Sequence, residues 1–438
     1  MPWSSGSLLV DSQASPILSI KDPVPEVRPF TGLLYDPTVA GGAEHVTAPP
    51  YDLISPIDQD HYYEASPFNV VRLILGKGEP GDDQSMNKYT RASLFLRSWT
   101  EQGILKPTSH PSVFPYELDF HLGGRRRRVR GLIAEVALEP WGGSIVPHER
   151  TLRGPIEDRL RLLRAVQANL SPVYTVLTGT SSSADLSAFL DTVTSGPPER
   201  EVTDEAGTRH RLWVTHSIPE EITRALGNES TMMIADGHHR YTVALAYREE
   251  MRAQFGPGPW DSMMAFVVDA SAEDPPVLPI HRAVLGGSPR PQPGGERVRD
   301  LAEVLATLRD EDMAYGIVIA EDGGLAHHIA TLDGHPPAVC ALHEQVLDRL
   351  GQMELRFLPD AVAAESLVLS GEATAAYLLP PTTVDRVWQI VKGGAKLPQK
   401  STYFWPKPRT GLVIRPLFAG QLSSPMGTSG SDDRMEAQ

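Results

Sequence analysis

The run Thr231-Met-Met-Ile-Ala-Asp236-Gly237-His238-His239-Arg240-Tyr241-Thr-Val-Ala-Leu constrains the fold more than any other stretch of this chain. It reads as a short buried strand, a tight turn and then a helix. Gly237 lets the backbone turn sharply or come close to a ligand. The helix that follows aims free N–H groups and its positive dipole end at whatever occupies the turn. An anion, most simply a phosphate, is the expected guest. Arg240 offers a bidentate fork for it, while His238 and His239 offer hydrogen bonds or proton transfer beside the carboxylate of Asp236. The plainer reading is a surface turn with solvated histidines. So dense a polar cluster between two apolar elements argues against it.

Composition narrows the partners. At 438 residues the chain exceeds one ordinary core and predicts two or more subdomains. Hydrophobic content of 41% and charged content of 22% are those of a soluble globular protein. A net charge of −15 argues against a general affinity for nucleic acid or anionic membranes, though a local positive pocket fits within it. No apolar run approaches the roughly 20 residues that cross a bilayer. The N-terminus lacks the regions of a signal peptide. The single cysteine, Cys340, leaves no intrachain disulfide or cysteine-rich zinc site, and its apolar neighbours predict a buried thiol. The cytoplasm is the expected address. With 39 prolines and 37 glycines, strand-to-helix junctions are expected rather than a helical bundle.

Along the chain, residues 1–26 read as a loose leader and residues 423–438 as a disordered tail. Helical spacing covers 84–102, and Val113–Phe120 with Val129–Leu138 predict a hairpin around Gly123-Gly124. Pro155 opens a helix, Pro172–Leu177 reads as a strand and Leu186–Val193 as a helix. A second hairpin is expected over Glu201–Val214 and an apolar strand over Met263–Val268. Gly286–Arg297 is Gly/Pro-rich and is the expected boundary between an N-terminal region, 27–285, and a C-terminal region, 298–422, that completes the pocket. The class is α+β or mixed α/β.

Other islands carry chemistry. Tyr51 and Asp52 sit on a stiff Pro-Pro turn that can orient a substrate or a metal, or else form an ordinary turn. Arg72, read as part of an apolar strand, needs a carboxylate or a ligand anion. His148 and Glu149 are a possible acid/base pair, Glu149 being the better base; no second histidine follows at zinc-motif spacing. Arg125–Arg130 is either an anion patch or, more simply, a solvated strand face. His281 and Arg282 add an imidazole–guanidinium pair after a strand. Lys400, Ser401, Thr402 and Lys407 flank an aromatic run: the lysines can clamp phosphate and the aromatics can wall a pocket.

Taken in order, these islands resemble the family called "domain of unknown function 1015". The motifs are Ala-Pro-Pro-Tyr51-Asp52-Leu-Ile-Ser, Asn69-Val-Val-Arg72-Leu, Pro147-His148-Glu149-Arg-Thr151, Asp158-Arg159-Leu, Ala235-Asp-Gly-His-His-Arg240-Tyr, Pro279-Ile-His281-Arg282 and Pro398-Gln-Lys-Ser-Thr-Tyr-Phe-Trp-Pro-Lys407. The resemblance runs from about Arg28 to Leu417. The family's helix start is similar to the phosphate-gripping boxes of ParB-type CTP-binding proteins and sulfiredoxins, a fold shared by free serine kinases. His238 stands where sulfiredoxin's cysteine would be, so sulfinic-acid repair is not implied.

What the resemblance implies is a ParB/sulfiredoxin-like nucleotide-binding core with extra strands and helices, and phosphoryl transfer to a small hydroxyl such as that of serine. In that scheme Gly237, His239 and Arg240 hold ATP, ADP or CTP with Mg²⁺, and Arg72, Lys400 and Lys407 neutralise the transferred group. Glu149 or Asp52 deprotonates the acceptor, with His148, His238 and Asp236 as further catalytic candidates. Tyr51, Ser401, Thr402, His281 and Arg282 touch the substrate. The partners are a small molecule and a nucleotide, with a homodimer possible. Two rivals stand beside it. One is a phosphatase-like hydrolase with a metal on Asp236, His238, His239, His148 and His281; the other is a nucleotide sensor without turnover.

Overall fold

The computed structural model describes residues 26–418 except 150–152, 179–182, 221, 224–225, 227–230, 287–294, 322, 335–336, 352 and 399. The leader through residue 25 and the tail from 423 lie outside the described residues.

Strands Phe114–Leu122 and Arg125–Ala137 pair antiparallel across Gly123-Gly124, whose φ of 59° and 74° glycine adopts without strain. They sit inside a nine-stranded mixed sheet. Its order is Ile145–Pro147, Thr231–Asp236, Val173–Thr178, Ser262–Asp269, Arg125–Ala137, Phe114–Leu122, Arg209–Leu212 and Arg200–Thr203, with Val27–Arg28 added to the long strand. The central Ser262–Asp269 strand is buried along its whole length, as an apolar run between covered faces should be. Arginines on the 125–130 face reach carboxylates: Arg126 pairs with Asp119, Arg127 with Asp274 and Arg130 with Glu273 and Asp191. The stretch is thus a salt-bridged strand face rather than an open anion patch.

A second, six-stranded sheet runs Glu296–Val298, Gly324–Thr331, Ala314–Glu321, Ala373–Leu378, His281–Leu285 and Glu354–Leu358. The His281–Leu285 strand precedes the Gly/Pro-rich stretch yet lies inside this sheet, so the expected boundary at 286–297 does not part the two sheets. Nor does the C-terminal region stay on its own side. Residues 410–417 return as a strap along the N-terminal layer: Thr410 bridges Ala48, Ile414 bridges Leu33, and Arg415–Pro416 pairs with Ala168–Asn169. The mixed α/β class expected from the sequence is what the chain adopts.

Two local readings are corrected. Arg72 lies in a single helical turn, Val71–Ile74, not in a strand, because the Asn69 carboxamide accepts from the Val71 amide and nucleates the turn. The helix expected over 84–102 runs from Lys88 to Glu101, since the Asn87 side chain caps the amides of Tyr89 and Thr90. Cys340 is part-buried. No described helix is long and apolar enough to cross a membrane.

The strap is anchored by Arg415, which is 2% exposed and donates to Glu135 (2.7 Å), Asn169 (3.1 Å) and the carbonyls of Pro259 (2.9 Å) and Ser262 (3.2 Å). Removing it leaves the part-buried Glu135 without its paired guanidinium. Arg415→Ala should therefore lower unfolding free energy by about 3–5 kcal/mol in urea titrations. Arg415→Lys should recover only part, because an ammonium cannot reproduce the planar fork.

Candidate functional site

The Thr231–Asp236 strand lies between Ile145–Pro147 (parallel) and Val173–Thr178 (antiparallel), and its register shifts between Ile234 and Asp236 as the chain leaves the sheet. Gly237 then turns with φ 97° and ψ 27°, and the His238–Phe255 helix begins. A Cβ at Gly237 would stand 3.0 Å from the Arg240 guanidinium, so glycine serves both the left-handed backbone and the close approach.

Asp236 is the hub of the turn. Its Oδ2 accepts from Arg240 Nη2 (2.5 Å) and its Oδ1 from Lys407 Nζ (2.6 Å). Lys407, 9% exposed, also reaches Asp52 Oδ2 at 3.1 Å. Burial alone would raise the Asp236 carboxyl; the charges of Lys407 and Arg240 outweigh it and hold the group at about 2. The same pairing holds Lys407 well above its ordinary value, against a burial effect that works to lower it. Arg240 Nη1 donates to Ser171 Oγ (3.0 Å) and to the Pro172 carbonyl. Both terminal nitrogens of the guanidinium expected as a phosphate fork thus already have protein partners.

Across from the turn, Glu149 is gripped by backbone. Its Oε1 accepts from the amides of Ser401 (3.0 Å) and Thr402 (3.2 Å), and its Oε2 lies 3.3 Å from the Lys400 amide. Burial works to raise this carboxyl; His148, His238 and the Ser401 amide bring it down to about 2. His148 is buried behind Glu149, with Nδ1 2.6 Å from the Ile234 carbonyl and Nε2 2.5 Å from Thr402 Oγ1. His238 Nε2 accepts from the His148 amide at 3.3 Å. Burial, then repulsion from His148, lowers the His238 imidazole to about 3, so it is neutral and carries its proton on Nδ1. Burial lowers His239 as well.

These groups face one cleft of about 490 Å³. Tyr51, Asp52, Glu149, Asp236, Gly237, His238, His239, Arg240, Lys400, Thr402 and Lys407 all line it. Five expected residues do not. Arg72 donates to the Tyr63 carbonyl (2.8 Å) and sits 4.3 Å over the Tyr63 ring. His281 is buried, accepting from the Leu379 amide at 3.1 Å, and burial brings it to about 4. Arg282 is fully buried and donates to the Lys400 carbonyl at 3.2 Å, bracing the Lys400 turn from behind. Ser401 closes that turn onto the Pro398 carbonyl (2.6 Å). His148 is set behind the wall rather than in it.

Sequence reasoning missed Leu53, Pro155, Ile280, Phe357 and Pro359 on the lining. Phe357 comes from the edge strand of the six-stranded sheet, and the Lys400 ammonium lies 5.3 Å from its ring centre. Nothing local marks that residue, since only the packing of the two sheets brings it in. Tyr403 is an aromatic of the run expected to wall a pocket, and it does line the cleft. Among the described residues no three His, Cys, Asp or Glu side chains are gathered closely enough to hold a metal ion, so the set Asp236, His238, His239, His148 and His281 is not assembled as a ligand shell.

Lys407→Met should cost about 1.5–3 kcal/mol by removing one of the two cations that hold Asp236, and adding Asp236→Asn should restore part of the loss. The pH dependence has a definite sign. The stability contributed by Asp236 is present above its ordinary value of 3.8 and lost as pH falls through about 2. Urea midpoints should therefore drop between pH 5 and pH 2.5, with a smaller drop in Asp236→Asn.

The family described as "Protein of unknown function (DUF1015)" matches residues 27–347. No curated protein matches the chain. Similar solved structures include a free serine kinase in complex with AMP, at 16% identity, 65% coverage of this chain, 93% of that chain and a TM-score of 0.35. A conserved hypothetical protein from Pyrococcus furiosus is similar at 15% identity, 65% and 97% coverage and a TM-score of 0.33. C-terminally truncated SbnI from Staphylococcus aureus is similar at 12% identity, 62% and 84% coverage and a TM-score of 0.34. Likeness at this level does not extend to ligands or chemistry.

Proposed function

The chain belongs to the family described as "Protein of unknown function (DUF1015)", and for this member we propose nucleotide-dependent phosphoryl transfer to a small hydroxyl compound such as serine. One observation carries the reading. A single cleft of about 490 Å³ holds a helix start on one side and, on the other, a backbone-gripped carboxylate with an exposed lysine beside it. That volume suits a nucleotide or a comparable small molecule.

The first-turn amides of the His238–Phe255 helix and the Lys400 ammonium supply positive potential for the phosphates. Tyr51, Tyr403 and Phe357 supply ring faces for the base or ribose. Arg240 acts through Asp236, holding the turn in shape. Glu149, ionised at neutral pH, accepts a hydrogen bond from the acceptor hydroxyl. The hydroxyl oxygen attacks the terminal phosphorus, the bond from that phosphorus to the bridging oxygen breaks, and the hydroxyl proton passes to Glu149. Mg²⁺ would arrive as the nucleotide's own counter-ion; among the described residues no side-chain set is placed to hold it, and no step is assigned to it.

Calorimetry with ATP, ADP and CTP should give binding to at least one nucleotide, weakened tenfold or more by Lys400→Ala. Phosphorus NMR of protein, that nucleotide, Mg²⁺ and a panel of hydroxy amino acids should then develop a phosphomonoester signal that Glu149→Gln abolishes. Absence of binding to all three nucleotides would sink the reading. Binding without any new phosphorus signal would make the cleft a sensor instead.

A further inference from the structure

A count of hydrogens around Thr402 does not close with ordinary protonation. His148 Nδ1 faces the Ile234 carbonyl at 2.6 Å, and a carbonyl only accepts, so Nδ1 must carry a hydrogen. His148 Nε2 then lies 2.5 Å from Thr402 Oγ1, and that oxygen lies 3.2 Å from Glu149 Oε1. The chain Nε2, Oγ1, Oε1 thus has two gaps of hydrogen-bond length. With a neutral imidazole and an ionised carboxylate, the hydroxyl provides one hydrogen for two gaps, and one pair of oxygen or nitrogen lone pairs is left facing another. The site in that state is unloaded, and one added proton would close both gaps: Nε2–H would donate to Oγ1, and Oγ1–H to Oε1.

We propose that Thr402 is the bridge of a proton relay in which His148 stores the proton that Glu149 removes from the acceptor. This rests on the phosphoryl-transfer reading of the same cleft. The steps balance. A proton arriving on Glu149 Oε1 is donated to Thr402 Oγ1 while the Thr402 hydroxyl hydrogen moves to His148 Nε2. Glu149 returns to the carboxylate, and His148 becomes an imidazolium with Nδ1 still bonded to Ile234. The reverse transfer resets the site when product leaves.

The surroundings fit a store of one proton. Glu149 Oε1 stands 3.6 Å from His148 Nε2, supplying the counter-charge. The ring of His238 is 4.7 Å away, centre to centre, and is neutral, so it does not repel the imidazolium as a cation would. Phe404, at 5.6 Å, shields another side of the ring from water. Thr402 is held for the task through its own amide, which also donates to Glu149, and through the Thr402–Phe404 strand paired with Val277–Pro279. The arrangement also explains how a carboxyl held at about 2 can serve as a base: it passes the proton on instead of keeping it.

Thr402 here is a positioning residue, and its test needs a readout other than activity. Nitrogen-15 NMR of the full-length protein follows the His148 ring across pH. Removing the bridge with Thr402→Val should make the ring take up its second hydrogen at lower pH than in wild type; Thr402→Ser should restore wild-type behaviour, and Glu149→Gln should mimic Thr402→Val. With the nucleotide identified above, Thr402→Val should lower kcat about 10²-fold while leaving KM for nucleotide within about twofold. Identical His148 titration in wild type and Thr402→Val, with both folded by circular dichroism, overturns the relay whatever the activity. A phosphorylated Thr402 found by mass spectrometry after incubation with ATP overturns it too, because Thr402 would then be an acceptor. A shifted titration in a protein that transfers no phosphate overturns the kinase reading and the relay's proton source with it, whereas an unshifted titration in a protein that does transfer phosphate overturns the relay alone.

Discussion

One buried carboxylate holds the site together. Asp236 gives one oxygen to Arg240, four residues along its own helix start, and the other to Lys407, brought from the far end of the chain by the returning strap. A single anion thus joins the turn to a segment 171 positions away. Such an arrangement is costly to dehydrate and costly to break, since removing either cation weakens the hold on a carboxylate largely shielded from water. The strap cannot leave without exposing Asp236, and the turn cannot reshape without losing Arg240. The cleft between them therefore has a fixed wall, which is what positioning a small substrate requires.

Much of this was legible in the chain itself. The strand–glycine–helix unit at Thr231–Leu245 and both hairpins follow from local periodicity and glycine placement, which act over a few residues. The Pro-flanked Tyr51–Asp52 turn, the Glu149 segment and the Lys400–Lys407 segment were each recognisable as polar islands in apolar context, and they face one cleft. Other features depend on contacts that no local pattern encodes. Arg72 resembled a strand residue because its neighbours are apolar, yet Asn69 turns the backbone into a helix first. Phe357 enters the cleft only because one sheet's edge meets the other. The Gly/Pro-rich stretch around 286 looked like a boundary, but the strand ahead of it pairs across into the second sheet.

The roles of the charged residues were harder to read than their positions. A guanidinium beside a helix start suggests a phosphate fork from sequence alone. In the fold its donors point to Asp236, Ser171 and Pro172, so its contribution is to shape. The histidines tell a similar story. His238 is driven neutral by burial, and His148 is turned inward by a carbonyl, so neither presents a fixed cation to the cleft. Positive potential falls instead to the helix dipole and to Lys400, which lies exposed at the rim.

Lys407 shows how the same residue can serve the frame and still meet a ligand. Its two carboxylates are unequal: Asp236 is 15% exposed and Asp52 44%. Water already competes for the Asp52 pair, which makes that contact the weaker of the two. The bond to Asp236 is therefore the firmer of the two, and the Asp52 pair is the one that yields first. Asp52 sits on the short turn that also carries Tyr51, whose ring is stacked under Arg159 at 4.2 Å. Releasing the acid frees the exposed end of that turn while the stacked end stays put.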